Sequence, residues 1–142
     1  MEFDRNGLEI LDRIECMRLL ARTSVGRLAM SSAALPVILP VNFLLDCDRI
    51  LIRTSAGTKL SAALANAVVA FEIDEFDSFS HTGWSVAVTG VAREVTDADD
   101  LAHIRTLPLA HWAPADGHVV AVSTDLVSGR RIRHGAAPAV AG

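Results

Sequence analysis

Lysine is almost missing from this chain. Of its 13 basic residues one alone, Lys59, is lysine and the rest are arginine, and against 17 acids they leave a formal net charge of −4. No basic arm or lysine/arginine run exists, so the counterion release that drives nucleic-acid binding has no evident source, and we expect no nucleic-acid partner. Long apolar runs are missing too. The longest, Leu35 to Leu45, is about half of the roughly 20 residues a bilayer span needs, and Pro36, Pro40 and Asn42 interrupt it. We expect no membrane association. The opening "MEFDRNGLEI" is acidic and lacks a cationic stretch followed by an apolar one, so it does not read as a signal peptide, and a cytoplasmic location is expected.

Cysteine is scarce: Cys16 and Cys47 form no CxxC and have no histidine at zinc-ligand spacing. A metal cage or redox dithiol is therefore not expected, and both read as small core hydrophobes. The histidines, at 81, 103, 111, 118 and 134, form no HExxH or paired spacing, which gives hydrolase chemistry no footing. Neither GxxxxGK[ST] nor GxGxxG occurs, so neither nucleotide-binding fingerprint applies.

What is present is a chain of 142 residues, 51% hydrophobic and 21% charged, enough for one core and too little for two ordinary domains. Residues 1–142 are read as a single domain with a fraying tail over 134–142. Asp12 and Glu15 carry the pattern of a helix start, Asp12 capping and Glu15 bonding back, with Leu11 stapled to Cys16; the helix should run from about Arg13 to Ala21. Strand-like segments follow at Val25–Met30, Leu35–Leu45 and Ile50–Thr54, then at Ala67–Ile73, Trp84–Val95 and His118–Leu126. Gly90 permits a bulge or bend. Leu60, Ala63, Leu64 and Ala67 recur at helical spacing from Gly57 to about Asn66, and Thr96 or Asp97 can cap a helix that bears Leu101, Ile104 and Leu107. Helices inserted among the strands, not alternating with each, argue for a mainly β (α+β) fold: a largely antiparallel barrel with short helices at its ends.

One stretch carries chemistry. "IRTSAGTKL" sets Arg53 and Lys59 around Thr54, Ser55 and Thr58, between a strand and a helix start. The first amides of that helix would point into the loop at the positive end of the dipole, and a planar fork, a mobile ammonium and hydroxyl donors together suit a phosphate. Solvated surface charges beside capping hydroxyls are the competing reading. Asn42, polar within an apolar strand, either bonds a heteroatom-rich ring or faces water at an edge that Pro40 favours. Trp84 is either a flat wall or plain core, and "SGRRIR" either a solvated face or a second anion contact. In "FEIDEFD", Glu72 and Asp74 share a strand face while Asp77 falls in the next loop, too little convergence for a hard metal.

The order "VGRLAM", "LPVNFLLD", "ILIRTSAGTKL", "VVAFEIDEFD", "GWSVAVTGVAREV" and "VSGRR" resembles the pyridoxamine 5′-phosphate oxidase-like family of flavin-binding split barrels, over roughly residues 10–132. The resemblance implies a six-stranded antiparallel split barrel and a homodimer with flavin mononucleotide (FMN) between subunits. It places Arg53, Thr54, Thr58 and Lys59 at the flavin phosphate and ribityl chain. It sets Pro40, Val41 and Asn42 beside the ring, Trp84, Ser85 and Val86 against the isoalloxazine, and Arg130 in a segment approaching cofactor or substrate. The implied activity is hydride transfer at the flavin to or from a small molecule. No side chain is required as acid or base. Relatives that use a deazaflavin, or that bind flavin or haem without turnover, define the alternatives. "RRIRHGAAPAVAG" departs from the arginine- and histidine-bearing segment with which the vitamin B6 oxidases grip their substrate phosphate.

Overall fold

Asp12 follows a strand and caps a helix. Its carboxylate accepts from Glu15 N at 2.8 Å, and the computed structural model, which describes residues 1–54, 65–109 and 117–133, shows α1 running over Arg13–Arg22 from that cap. Glu15 does not bond back to the cap; its carboxylate is taken by Arg18 and Arg131, at 2.7 Å each, because charge-assisted forks outcompete a backbone amide. Cys16, Leu19 and Leu20 form the buried stripe of α1.

Strands β1 (Glu2–Phe3) and β2 (Glu9–Leu11) precede α1. After it come β3 (Val25–Ser32), β4 (Leu35–Asp46), β5 (Arg49–Thr54), β6 (Val68–Asp77), β7 (Thr82–Glu94), helix α2 (Ala98–Arg105), β8 (His118–Ser123) and β9 (Leu126–Ile132). Antiparallel ladders run β7–β6–β3–β4–β5–β8 and return to β7, which closes a six-stranded barrel. The barrel strands are the six segments read from the sequence. Asp97 caps α2, accepting from Asp100 N at 2.9 Å. The helix expected over 57–66 lies outside the described residues except for its last positions, where Asn66 occupies a turn with φ 56°. Tail residues 134–142 also lie outside them.

β7 closes the ring by changing partner along its length. Gly83 to Thr89 pair with β9, whereas Ala92 to Glu94 pair with β8. Gly90 sits at the changeover, where any Cβ would run into the Ser123 carbonyl, and Ser123 Oγ accepts from Val91 N at 2.9 Å. The chain passes from β8 to β9 through this gap, so the glycine is needed for close approach.

Three sequence expectations need correction. The last strand expected ended at Leu126, with "SGRRIR" after it; all of that stretch but Arg133 instead belongs to β9, an added strand between β7 and β2 outside the ring. Asp77 is not in a loop but ends β6, paired with Thr82. Cys47 is no core residue; it occupies the β4–β5 turn with φ 56° and is exposed, while Cys16 is fully buried. A left-handed turn residue points off the sheet, and apolar character cannot pull it in.

Inside the barrel, Leu28, Phe43, Ile50, Ile52, Phe71, Ile73, Val86, Val88 and Val122 pack as one cluster, with Phe43 and Phe71 edge to face at 4.7 Å. Gly26 is pressed flat against the Phe71 ring. Outside β5, Leu51 packs with Ile104, Leu109 and Val119 beneath α2. Arg49 fastens that helix through Asp100 at 2.7 Å and Asp46 at 2.9 Å.

Candidate functional site

Successive side chains on a strand point to opposite faces, so the buried cluster sorts the predicted site residues. Val41 packs against the core and Val86 is fully buried in it, so both face inward. Thr54 shares parity with Ile50 and Ile52; it is buried, and its hydroxyl donates to His118 O at 3.4 Å within the β5–β8 ladder. Trp84 is half-buried on the inner side, where the Arg22 guanidinium stands 5.8 Å over its ring. Val41, Val86 and Thr54 line the barrel, whereas Trp84 also borders the cleft shared by Ser85 and Arg130.

The rest meet on the outside. Pro40 and Asn42 on β4, Ser85 on β7 and Arg130 on β9 all occupy outward positions, and the registers set them in adjacent rows. Val25 pairs with Asn42, while Ser85 pairs with Asp74 on one side and Arg130 on the other. The row beside it holds Pro40, Arg27, Glu72 and Ala87. This outer belt is floored by small residues, Ala29, Ala70, Ala87 and Gly83, with exposed Val25, Ile38 and Phe76 around them.

At one end the belt opens. β4 pairs with β3 over Leu35–Asn42 but with β5 only over Phe43–Asp46, so the β4–β5 ladder stops at the pair Phe43–Ile52. Had it continued, Asn42 would face Arg53. Instead, among the described residues, Pro40, Val41 and Asn42 are paired on one side only, the edge that Pro40 suggested, and Arg53 pairs with Val119 of β8 alone. Arg53 Nε is buried there and has no hydrogen-bond partner among the described residues. A buried guanidinium N–H without an acceptor is costly and asks for an anion or carbonyl oxygen. Thr58 and Lys59 lie outside the described residues.

The middle of the belt is charged. Arg27 bonds Asp74 at 2.8 Å and Glu72 at 3.4 Å. Partial burial, then the neighbouring Asp74 carboxylate, push Glu72 up to about 7 against the pull of Arg27. Arg130 is held by Asp4, Nε to Oδ2 at 3.0 Å, in a turn whose Leu8 amide, first among its donors, keeps the Asp4 carboxyl below its ordinary value. Two clefts flank Glu72 and Asp74. One, about 300 Å³, has Ser85, Arg130, Phe76 and Ile132 in its wall; the other, about 320 Å³, lies over Ala29 and Ala70 beside Ile38 and Arg27. Sequence reading missed Arg27, whose signal was the alternation Val25, Arg27, Ala29, and weighed Glu72 and Asp74 only as metal ligands. Among the described residues no three His, Cys, Asp or Glu side chains gather as a metal site, and no helix is long and apolar enough to cross a membrane.

A six-stranded barrel closed through a partner-changing strand, and parted between two of its strands beside an arginine Nε without a hydrogen-bond partner among the described residues, defines a split barrel. The chain belongs to the pyridoxamine 5′-phosphate oxidase family, whose model matches residues 12–131. It is 44% identical to an uncharacterised Mycobacterium tuberculosis protein over 128 residues, 86% of this chain and 84% of that one. The solved structure of an FAD-binding protein from Mycobacterium smegmatis is 40% identical and superposes with a TM-score of 0.76, covering 87% of this chain and 97% of that one. A Corynebacterium diphtheriae protein of unknown function is 35% identical with a TM-score of 0.76, covering 89% and 98%.

Proposed function

We propose that this chain binds a flavin and acts as a flavin-dependent oxidoreductase, moving a hydride between the flavin ring and a small molecule. The observation that carries the reading is the buried Arg53 Nε, without a hydrogen-bond partner among the described residues, where the β4–β5 ladder opens. That N–H fits a phosphate oxygen, with Thr58 and Lys59, a few residues on in the sequence, as further donors and Pro40 and Asn42 at the adjoining open strand edge for the ring. When bound, the flavin supplies the redox chemistry; the protein binds, orients and excludes water.

The site calls for two chains. Arg53 on β5 and Ser85 and Arg130 on β7 and β9 lie at opposite ends of the outer belt, separated by β4, β3 and β6. One cofactor reaches both ends if two barrels pack belt to belt, so we propose a homodimer with the flavin between protomers. The exposed free thiol of Cys47 suits a reducing compartment, and we place the protein in the cytoplasm.

FMN is the cofactor the family resemblance implies; the FAD-binding relative at 40% identity favours FAD as the second reading. Absorbance of the purified protein between 350 and 500 nm (roughly the flavin bands), followed by titration of stripped protein with FMN, FAD and a deazaflavin, decides among them. No flavin band and no saturable binding of any of the three would overturn the proposal.

A further inference from the structure

Glu72 and Asp74 stand two apart on β6, project to the same side and share a single cation. Arg27 of β3 is that cation, 2.8 Å from Asp74 and 3.4 Å from Glu72. One guanidinium opposite two carboxylates leaves one negative charge in the middle of an otherwise small and apolar face. The surrounding elements offer little to balance it. From β4 comes Pro40, across Arg27; from β7 come Ser85 and Ala87; from β9 comes Arg130, whose guanidinium is engaged by Asp4 of the β1–β2 turn. Clefts of about 300 and 320 Å³ lie on either side of the pair, so a body seated on this face would cover it.

We propose that the trio Arg27, Glu72 and Asp74 makes association of two copies of this chain through the outer belt proton-linked: the belts close with Glu72 protonated over the Arg27–Asp74 pair and part when it ionises. The inference rests on the reading of the belt as the dimer face. With Glu72 neutral, Arg27 and Asp74 cancel and the covered face carries no net charge. With Glu72 ionised, each protomer brings one uncompensated negative charge to a face that loses its water, and the two copies bring like charges together. A single chain already holds Glu72 at about 7, through partial burial and then Asp74. A second copy strips away more water and raises it further, so assembly takes up protons across neutral pH.

The test is the dimer dissociation constant of the full chain between pH 6 and 8.5, by sedimentation or, where the dimer is too tight, by subunit exchange between two labelled populations. The wild-type constant should rise above pH 7 by about a factor of 10 per pH unit for each proton taken up, hence up to about 100-fold per unit for two symmetric sites. Glu72→Gln should dimerise with a constant that is flat over this range, and Asp74→Asn should reduce the slope, because Glu72 then has Arg27 to itself. A wild-type dimer with a flat constant, or a Glu72→Gln dimer that keeps the slope, overturns the proton linkage while leaving the dimer intact. A wild type that stays monomeric at every pH overturns the dimer reading and the linkage together.

Discussion

The two faces of β6 and β7 differ residue by residue. Phe71, Ile73, Val86 and Val88 point into the barrel and are wholly buried, whereas their immediate neighbours Ala70, Glu72, Asp74, Ser85 and Ala87 form the outer belt. Inside, the chain satisfies itself: Phe43 meets Phe71 edge to face among buried aliphatic side chains. Outside, it leaves unfinished business, with small side chains, an excess carboxylate and at the far end an arginine N–H without an acceptor among the described residues. Period-two alternation therefore lets one strand carry stability on one face and recognition on the other, and the two can be perturbed separately.

The largest effect should come from the inner face. Phe71→Ala removes a fully buried ring packed on Phe43 and beneath Gly26, and should cost about 3–5 kcal/mol of unfolding free energy in denaturant melts. Ala87→Ser, a single position along on the partner strand and facing out, should stay within about 0.5 kcal/mol of wild type. Equal losses at the two positions would end the division between faces.

Next in size is Arg53→Ala. Flavin titration should weaken by about 1.5–3 kcal/mol, the range of a charged hydrogen bond, and Lys59→Ala should lose a similar amount. The melt should move little for Arg53→Ala, since the buried Nε has no hydrogen-bond partner among the described residues. A large loss of stability with unchanged flavin affinity would make Arg53 a structural residue and remove the phosphate reading.

How much of this was legible in the sequence follows the same division. The inner face announces itself: Leu28, Phe43, Ile50, Ile52, Phe71, Val86, Val88 and Val122 mark the buried sides of strand-like segments, and from such segments the six barrel strands and the fold class could be read. β9 could not be, because its pattern "LVSGRRI" contains no apolar alternation. Its inward residues are Val127, packed on the core, Gly129, pressed on Cys16 and Leu11, and Arg131, bound to Glu15, so a single large apolar side chain marks that face and the rest of it meets α1 and β2. Asp77 joins β6 through its pairing with Thr82, with no burial to mark it. On the outer face, residue types were visible singly, but their assembly is a matter of register. Asn42 and Arg53 become neighbours of one opening only because the β4–β5 ladder stops at Phe43–Ile52.

The smallest effects are pH dependences, and two carboxylates should show opposite signs. Glu72, raised from 4.5 to about 7 by burial and then by Asp74, binds its proton more tightly folded than unfolded. Folding therefore takes up a proton between about pH 4.5 and 7, and its stabilising share is lost as pH climbs through that window. Glu72→Gln should accordingly melt above wild type at pH 8, with the gap closing towards pH 4.5. Glu15, lowered from 4.5 to about 2 by Arg18 first and then Arg131, does the reverse. Its share is full above about pH 4.5 and lost as pH falls towards 2, so Glu15→Gln should melt below wild type at neutral pH and converge with it in acid. Both shifts come from groups that solvent reaches, which keeps them modest and sensitive to salt. Melting the two variants and the wild type in parallel from pH 3 to 8 reads the signs directly. Gaps of the same sign would mean that the outer belt holds its acids as the α1–β9 junction does, and that Glu72 is a stabilising member of an ion pair and not the excess charge on an uncovered face.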